Sequence, residues 1–202
     1  MSREFLEKLL VEGGPVETAS AWLYFVAAGY LLLKSRRYSW STGPAGAVIL
    51  SACGFRKLDF QYRLTSGYVL GTRYYLAGTA PGWELLIVVS VLAGLAVVTM
   101  RFVWLNWSGF VEGFRQSRRS AIAVAAALGL MFLATFLDLA QSYLRRNYPA
   151  STDAGFSMWF LEETLELIVP GLFVAAIFEA AAESERRHSS RASARRLTRS
   201  HH

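Results

Sequence analysis

The residues best placed to do chemistry in this chain are acidic. Glu17, Asp59, Glu84, Asp138, Glu162, Glu163 and Glu166 each stand at or near the end of an apolar stretch. Carboxylates so placed can bind a cation, act as a general base when their pKa is raised, or tie helices together through ion pairs. Glu17, Glu84, Glu162 and Glu163 fall at predicted helix N-termini, where the helix dipole stabilises an anion by ~0.3–1 kcal/mol. For these four a structural role competes evenly with a functional one. Asp59 and Asp138 fall near helix C-termini, where the dipole disfavours an anion, so each needs a compensating group. Arg56, Lys57 and Arg63 are close to Asp59 in sequence, and Arg145 lies two turns beyond Asp138. Two arrangements meet that need: salt bridges that tie helices, or a shared polar site that binds a cation or a lipid headgroup. Glu162 and Glu166, four apart, project from one helical face and can join such a site.

Some chemistry is excluded by the residues that are missing. No histidine precedes His188, and all three lie near the C-terminus. Bis-His haem ligation within the apolar segments and an all-His zinc site are therefore not expected. The chain has no P-loop, no Gly-x-Ser-x-Gly and no His-Glu-x-x-His, and its apolar segments hold no Glu-x-x-His. Cofactors remain unknown on this evidence. The single cysteine, Cys53, permits no internal disulfide and reads as a small packing residue.

The elements that must position these residues are membrane helices. The chain has 202 residues, 53% of them hydrophobic and only 18% charged. Residues 85–100 (LLIVVSVLAGLAVVTM) and 121–137 (AIAVAAALGLMFLATFL) carry no charge. With flanking aromatic residues they reach the roughly 20 residues needed to cross a ~30 Å hydrocarbon core. Backbone polar groups inside lipid must be satisfied within the segment, so these runs are helices. The predicted fold is all-α: an integral membrane bundle of about five transmembrane helices, over 15–33, 42–60, 82–104, 120–141 and 158–179. A short amphipathic interfacial helix precedes it in 1–14, with Phe5, Leu6, Leu9 and Leu10 on one face. That segment carries three glutamates and no long apolar core, so no cleavable signal peptide is expected. Residues 15–180 form the transmembrane domain, with a kink expected at Pro170-Gly171. Residues 181–202 form a basic, disordered tail. The second span is rich in Gly, Ala and Ser, which lets helices approach closely in lipid, so it should be central. Residues 61–82 form an aromatic-rich loop, with a re-entrant or interfacial helix at 65–76 left open. Tyr68, Tyr74 and Tyr75 there are better explained as headgroup anchors than as cavity lining.

Basic residues orient the bundle. Lys34, Arg36 and Arg37 follow span one. Arg101, Arg115, Arg118 and Arg119 follow span three, and Arg186, Arg187, Arg191, Arg195, Arg196 and Arg199 form the tail. Leaving out Arg56 and Lys57, which lie within the end of span two, these thirteen face four in the loops on the other side: Arg63, Arg73, Arg145 and Arg146. Basic loops stay cytoplasmic. The expectation is therefore a multi-pass membrane protein with its N-terminus outside and its C-terminus in the cytoplasm. The bilayer is its first partner, and anionic lipid can meet the tail. Nucleic acid is not expected, because the basic residues lack a folded, aromatic-bearing platform. On this topology the acidic residues gather in the outer leaflet.

Arg56-Lys57-Leu58-Asp59-Phe60-Gln61, followed by Thr65, Ser66 and Arg73-Tyr74-Tyr75, resembles an uncharacterised family of bacterial multi-pass inner-membrane proteins. That family carries an Arg-Glu-(Leu/Met)-Asp-aromatic-His signature at this point. Its acidic, Gly-Pro-containing opening is matched by Glu12-Gly13-Gly14-Pro15-Val16-Glu17, and its Glu-Glu pair by Glu162-Glu163. More distantly, the chain resembles the membrane-hydrolase superfamily that includes alkaline ceramidases. Glu17 and Ser20 match its Glu-x-x-Ser element, and Asp59 its aspartate near the end of the second span. That superfamily holds zinc through histidines. Here Gln61 stands where the first family has His, Lys57 replaces its Glu, and no span contains His. Three readings stay open: a degenerate site, a hard cation bound by carboxylates, or no link to the superfamily.

The candidate ligand-binding set is therefore Glu17, Ser20, Arg56, Asp59, Asp138, Glu162, Glu163 and Glu166. The first functional reading is a multi-pass membrane protein that binds a lipid or a membrane partner at this outer-face cluster without catalysis. The alternative is a membrane-embedded, metal-dependent hydrolase acting on a lipid amide or ester. A transporter ranks last, because the carboxylates lie toward one surface rather than at the midplane.

Overall fold

The computed structural model describes residues 14–34, 42–60, 64–67, 69, 72–76, 80–147 and 152–199. Within them run α1 (Pro15–Leu33), α2 (Gly43–Lys57), α3 (Thr72–Leu76), α4 (Gly82–Arg115), α5 (Arg119–Asn147) and α6 (Thr152–Arg199). Among the described residues there is no strand.

Local chemistry explains the boundaries. Prolines stand at the first turns of α1 and α2, where a missing N–H leaves no helical bond unmade. Pro81 precedes α4, and its carbonyl accepts from the amides of Glu84 and Leu85. The chain leaves α2 through Asp59, whose φ of 48° lies in the left-handed region. Pro170 sits fully buried inside α6, and the helix runs through it.

Four helical segments are long and apolar enough to cross a membrane: Pro15–Leu33, Gly82–Arg115, Arg119–Tyr143 and Phe160–Glu183. The expected span at 42–60 corresponds to the shorter α2, whose 15 residues reach only about 22 Å at 1.5 Å per residue. The bundle is thus all-helical, and its apolar helices agree with about five spans. Two elements exceed expectation. α4 continues past 104 to Arg115, and α6 continues to Arg199, so 181–199 is helical where disorder was expected. Arg and Ala, both strong helix formers, make up ten of its 19 residues, which helps to extend an already nucleated helix despite four Ser. The predicted interfacial helix at 1–14 lies almost wholly outside the described residues.

The packing follows the size of the side chains. α1 packs on α2 and α6, α5 on α6, while α4 touches α2 and α5 more lightly. The core joins Tyr24, Ala27 and Ala28 of α1 with Ala47 and Leu50 of α2, Ala127 of α5 and Val169 of α6. Cys53 packs against this cluster. Large apolar residues such as Trp22, Leu86, Met100, Trp104 and Phe132 face outward, as they would toward lipid tails. A Cβ on Gly46 would lie 3.1 Å from Leu31 and 3.3 Å from Phe102, and one on Gly54 would lie 3.0 Å from Phe25. The small residues of α2 therefore sit where α1 and α4 approach it.

Side-chain contacts fix the helix directions. Tyr24 meets Phe173 and Tyr30 meets Phe178, so α1 and α6 run parallel. Gly54 adjoins Phe25 and Gly46 adjoins Leu31, so α2 returns antiparallel to α1. Arg119 pairs with Glu179 at 4.0 Å, and the Ser120 hydroxyl donates to Glu183 at 3.3 Å. α5 is thus antiparallel to α6. Lys34, Arg115, Arg118 and Arg119 share one end of the bundle; Glu17, Lys57 and Glu166 share the other. The latter is termed the outer end, after the charge bias of the sequence.

Candidate functional site: a polar cluster at the outer end

α2 is apolar until its last turn, which ends in Arg56 and Lys57. Cations suit a helix C-terminus because they face the negative end of the dipole. Lys57 also finds a partner on another helix: its ammonium donates to the Glu166 carboxylate of α6 in an ion pair. The side chains are only 18% and 25% exposed, so each charge depends on the other. Glu163, Glu17, Arg56 and Glu162 complete the electrostatic surroundings of Lys57. Glu17 comes from the first turn of α1, and Glu162 and Glu163 lie one turn before Glu166 on α6. α1 and the distant α6 thus bring four carboxylates around the one ammonium at the end of α2.

Ser20 lies one turn below Glu17 and is 1% exposed. Its hydroxyl donates to the backbone carbonyl of Glu17 at 2.8 Å, which satisfies it within its own helix. Tyr24 lies one further turn down, in the core.

The two aspartates behave differently from the glutamates. Asp59 and Asp138 are exposed. Among the described residues neither side chain makes a hydrogen bond or an ion pair. The helix-tying bridges expected at these positions are instead made by Lys57 with Glu166. Asp59 sits two residues past Lys57, on the surface of the tight turn that ends α2. Asp138 lies toward the same end, since α5 starts beside Glu179 and runs back along α6. Water or headgroups at the surface can solvate both, so neither needs the protein partner that a buried carboxylate would.

A second polar node, centred on Glu84 and outside the candidate ligand-binding set, joins the outer loop to α4. Glu84 is 6% exposed. Its Oε1 accepts from the Ser66 amide at 2.7 Å, the Ser66 hydroxyl at 3.0 Å and the Tyr74 hydroxyl at 2.6 Å. Burial, together with the hydrogen bond to Glu84, pushes the Tyr74 phenol up to about 12. It therefore remains a donor across the physiological range. The Tyr75 hydroxyl donates to the Val69 carbonyl at 2.6 Å. Both tyrosines thus spend their hydroxyls on holding the loop, and neither was assigned that role from sequence. Tyr68 lies outside the described residues.

Among the described residues no three His, Cys, Asp or Glu side chains are grouped as metal ligands would be. The outer cluster is arranged around an ammonium, which fits carboxylates used for ion pairing better than carboxylates used for metal coordination. Compared with the models of known protein families, with curated proteins and with solved structures, the chain matches none.

Proposed function

We propose that the chain is a multi-pass protein of the bacterial inner membrane that binds a lipid or a membrane partner at its outer end, without catalysis. One observation carries this reading: α1, α2 and α6 gather Glu17, Lys57, Glu162, Glu163 and Glu166 at one end of an otherwise apolar bundle. Ionisable groups shielded from water within membrane helices are costly and by default mark a function, and Lys57 and Glu166 are largely buried. More charged groups meet here than one helix-tying salt bridge needs, which suits recognition of a charged headgroup or a basic partner. The resemblance to an uncharacterised bacterial membrane family supports the same placement. The basic residues at the opposite end support a cytoplasmic C-terminus.

The hydrolase alternative has less behind it. It needs an activated nucleophile or a metal-bound water, and the Ser20 hydroxyl is spent on the Glu17 carbonyl. The test is native mass spectrometry of the detergent-purified full chain beside a Lys57→Met, Glu166→Leu double variant. The wild type should retain a lipid or protein partner that the variant loses while keeping its helical circular dichroism. Equal retention by both would remove the cluster from the binding reading.

A further inference from the structure

The last part of α4 has two sides that the bundle does not cover. At about 100° per residue, Arg101, Ser108, Glu112 and Arg115 share one side of the helix. Val103, Trp107, Phe110 and Phe114 share a side roughly opposite. The four polar residues are exposed, yet Val103, Trp107 and Phe114 are also 48%, 59% and 53% exposed. The rings of Trp107 and Phe110 stand 6.2 Å apart, and those of Phe110 and Phe114 6.4 Å apart. They form a continuous aromatic strip that no other helix covers.

Two contacts fix where this segment lies. A Cβ on Gly46 would lie 3.1 Å from Leu31 and 3.3 Å from Phe102, and one on Gly113 would lie 3.2 Å from Ala121. Leu31 follows Tyr30, which meets Phe178 of α6, and the next residue, Glu179, pairs with Arg119 of α5. Phe102 and Gly113 therefore both meet the bundle near one depth, at its basic end. The eleven residues from one to the other span about 16 Å, and that length runs across the end of the bundle. The uncharged run of α5 begins at Ala121, so this depth is the edge of the hydrocarbon core.

The charges on the polar side are not all spent. Gln116 donates to Glu112 and accepts from Arg118, and Arg119 pairs with Glu179. Among the described residues, the side chains of Arg101 and Arg115 make no hydrogen bond or ion pair. Two unpaired guanidiniums thus flank an aromatic strip at an apolar boundary. An amphipathic segment with arginine on its polar side and Trp and Phe on the other suits an anionic lipid surface. We propose that residues 101–115 lie in the headgroup layer at the basic end. The aromatic strip then rests on the upper acyl chains, and Arg101 and Arg115 meet the phosphates of anionic phospholipid. This surface is separate from the outer cluster and does not depend on its ligand.

The test uses the full chain in nanodiscs of phosphatidylcholine and phosphatidylglycerol. Nitroxide labels are placed singly at Phe110→Cys and Ser108→Cys in a Cys53→Ala background. The label at 110 should be relaxed by oxygen, which concentrates in lipid, and the label at 108 by a water-soluble nickel chelate. Relaxation of both by the chelate would put the segment in water and overturn the proposal. Shielding of both from either reagent would show a protein, or a second copy of the chain, on the strip, and would overturn it too. Native mass spectrometry of the unlabelled chain then reads the lipid. Arg101→Gln with Arg115→Gln should lower retained phosphatidylglycerol relative to phosphatidylcholine about tenfold. Equal retention by wild type and a folded double variant overturns the assignment to anionic lipid. The label pattern stands whether or not that variant folds.

Discussion

Glu84 and Glu166 are both carboxylates set in apolar helices, and they are satisfied in opposite ways. Glu84 takes all its donors from its own neighbourhood: Ser66 and Tyr74 lie 18 and 10 residues away in the outer loop. Glu166 takes an ammonium from Lys57, 109 residues away on another helix. The donors at Glu84 are an amide and two hydroxyls, so one formal charge is enclosed by dipoles and the node is closed. At Glu166 a charge meets a charge among further carboxylates, and about a fifth of each partner remains accessible. A closed node of this kind fixes a loop. An open one at the mouth of a helix bundle can exchange its partner for a ligand.

If Glu84 is the structural node, breaking it should cost the most. Glu84→Leu leaves the Ser66 amide and the Tyr74 hydroxyl without an acceptor. It should lower the unfolding temperature by roughly 5 °C or more, and expose residues 64–80 to limited proteolysis. Tyr74→Phe should do the same more weakly. At the other node, Lys57→Met strands the Glu166 carboxylate and should destabilise by about 1–3 kcal/mol in a denaturant titration. The double variant Lys57→Met, Glu166→Leu should return to within about 1 kcal/mol of wild type, because an apolar pair replaces an ion pair at little net cost. That recovery would separate stability from binding at the same residues.

Smaller effects sharpen the contrast between packed and lipid-facing surface. Gly54→Ala places a methyl 3.0 Å from the Phe25 ring and should cost about 1 kcal/mol. Gly94→Ala meets nothing within 4 Å and should be neutral or slightly stabilising. Smallest of all, Asp138→Asn should change stability by no more than about 0.5 kcal/mol, since the group is exposed and unpaired. Asp59→Gly should stabilise by up to about 1 kcal/mol by relieving the left-handed backbone.

The bundle was legible where the signals were local. Gly13-Gly14-Pro15 and Lys34 bracket α1, and Pro15–Leu33 is the helix observed. The uncharged runs at 85–100 and 121–137 lie inside α4 and α5. The extension of α6 was not legible, because Arg- and Ser-rich composition reads as disorder unless one knows that a helix already feeds into it. The site was half legible. Glu17, Glu162, Glu163 and Glu166 are brought together, but Lys57 was read as a neighbour of Asp59 and not as the partner of Glu166. A lysine at a helix C-terminus is already favoured by the dipole and can snorkel to the headgroups, so nothing in the sequence pointed to its partner on α6. Asp59 and Asp138 drew attention because a helix C-terminus disfavours anions; their exposure removes that pressure. For Glu84 the N-terminal dipole was explanation enough, and nothing in sequence linked it to Ser66 and Tyr74.

The most direct test of the outer cluster as a binding site is a charge swap, Lys57→Glu with Glu166→Lys. The swapped pair keeps the ion pair and should keep the fold, with stability within about 1 kcal/mol of wild type. It reverses the polarity that a ligand would meet. The account predicts that lipid or partner retained by the wild-type chain is lost from the swapped one. Unchanged retention in a folded, swapped chain would contradict it and leave Lys57 and Glu166 as a helix-tying bridge alone.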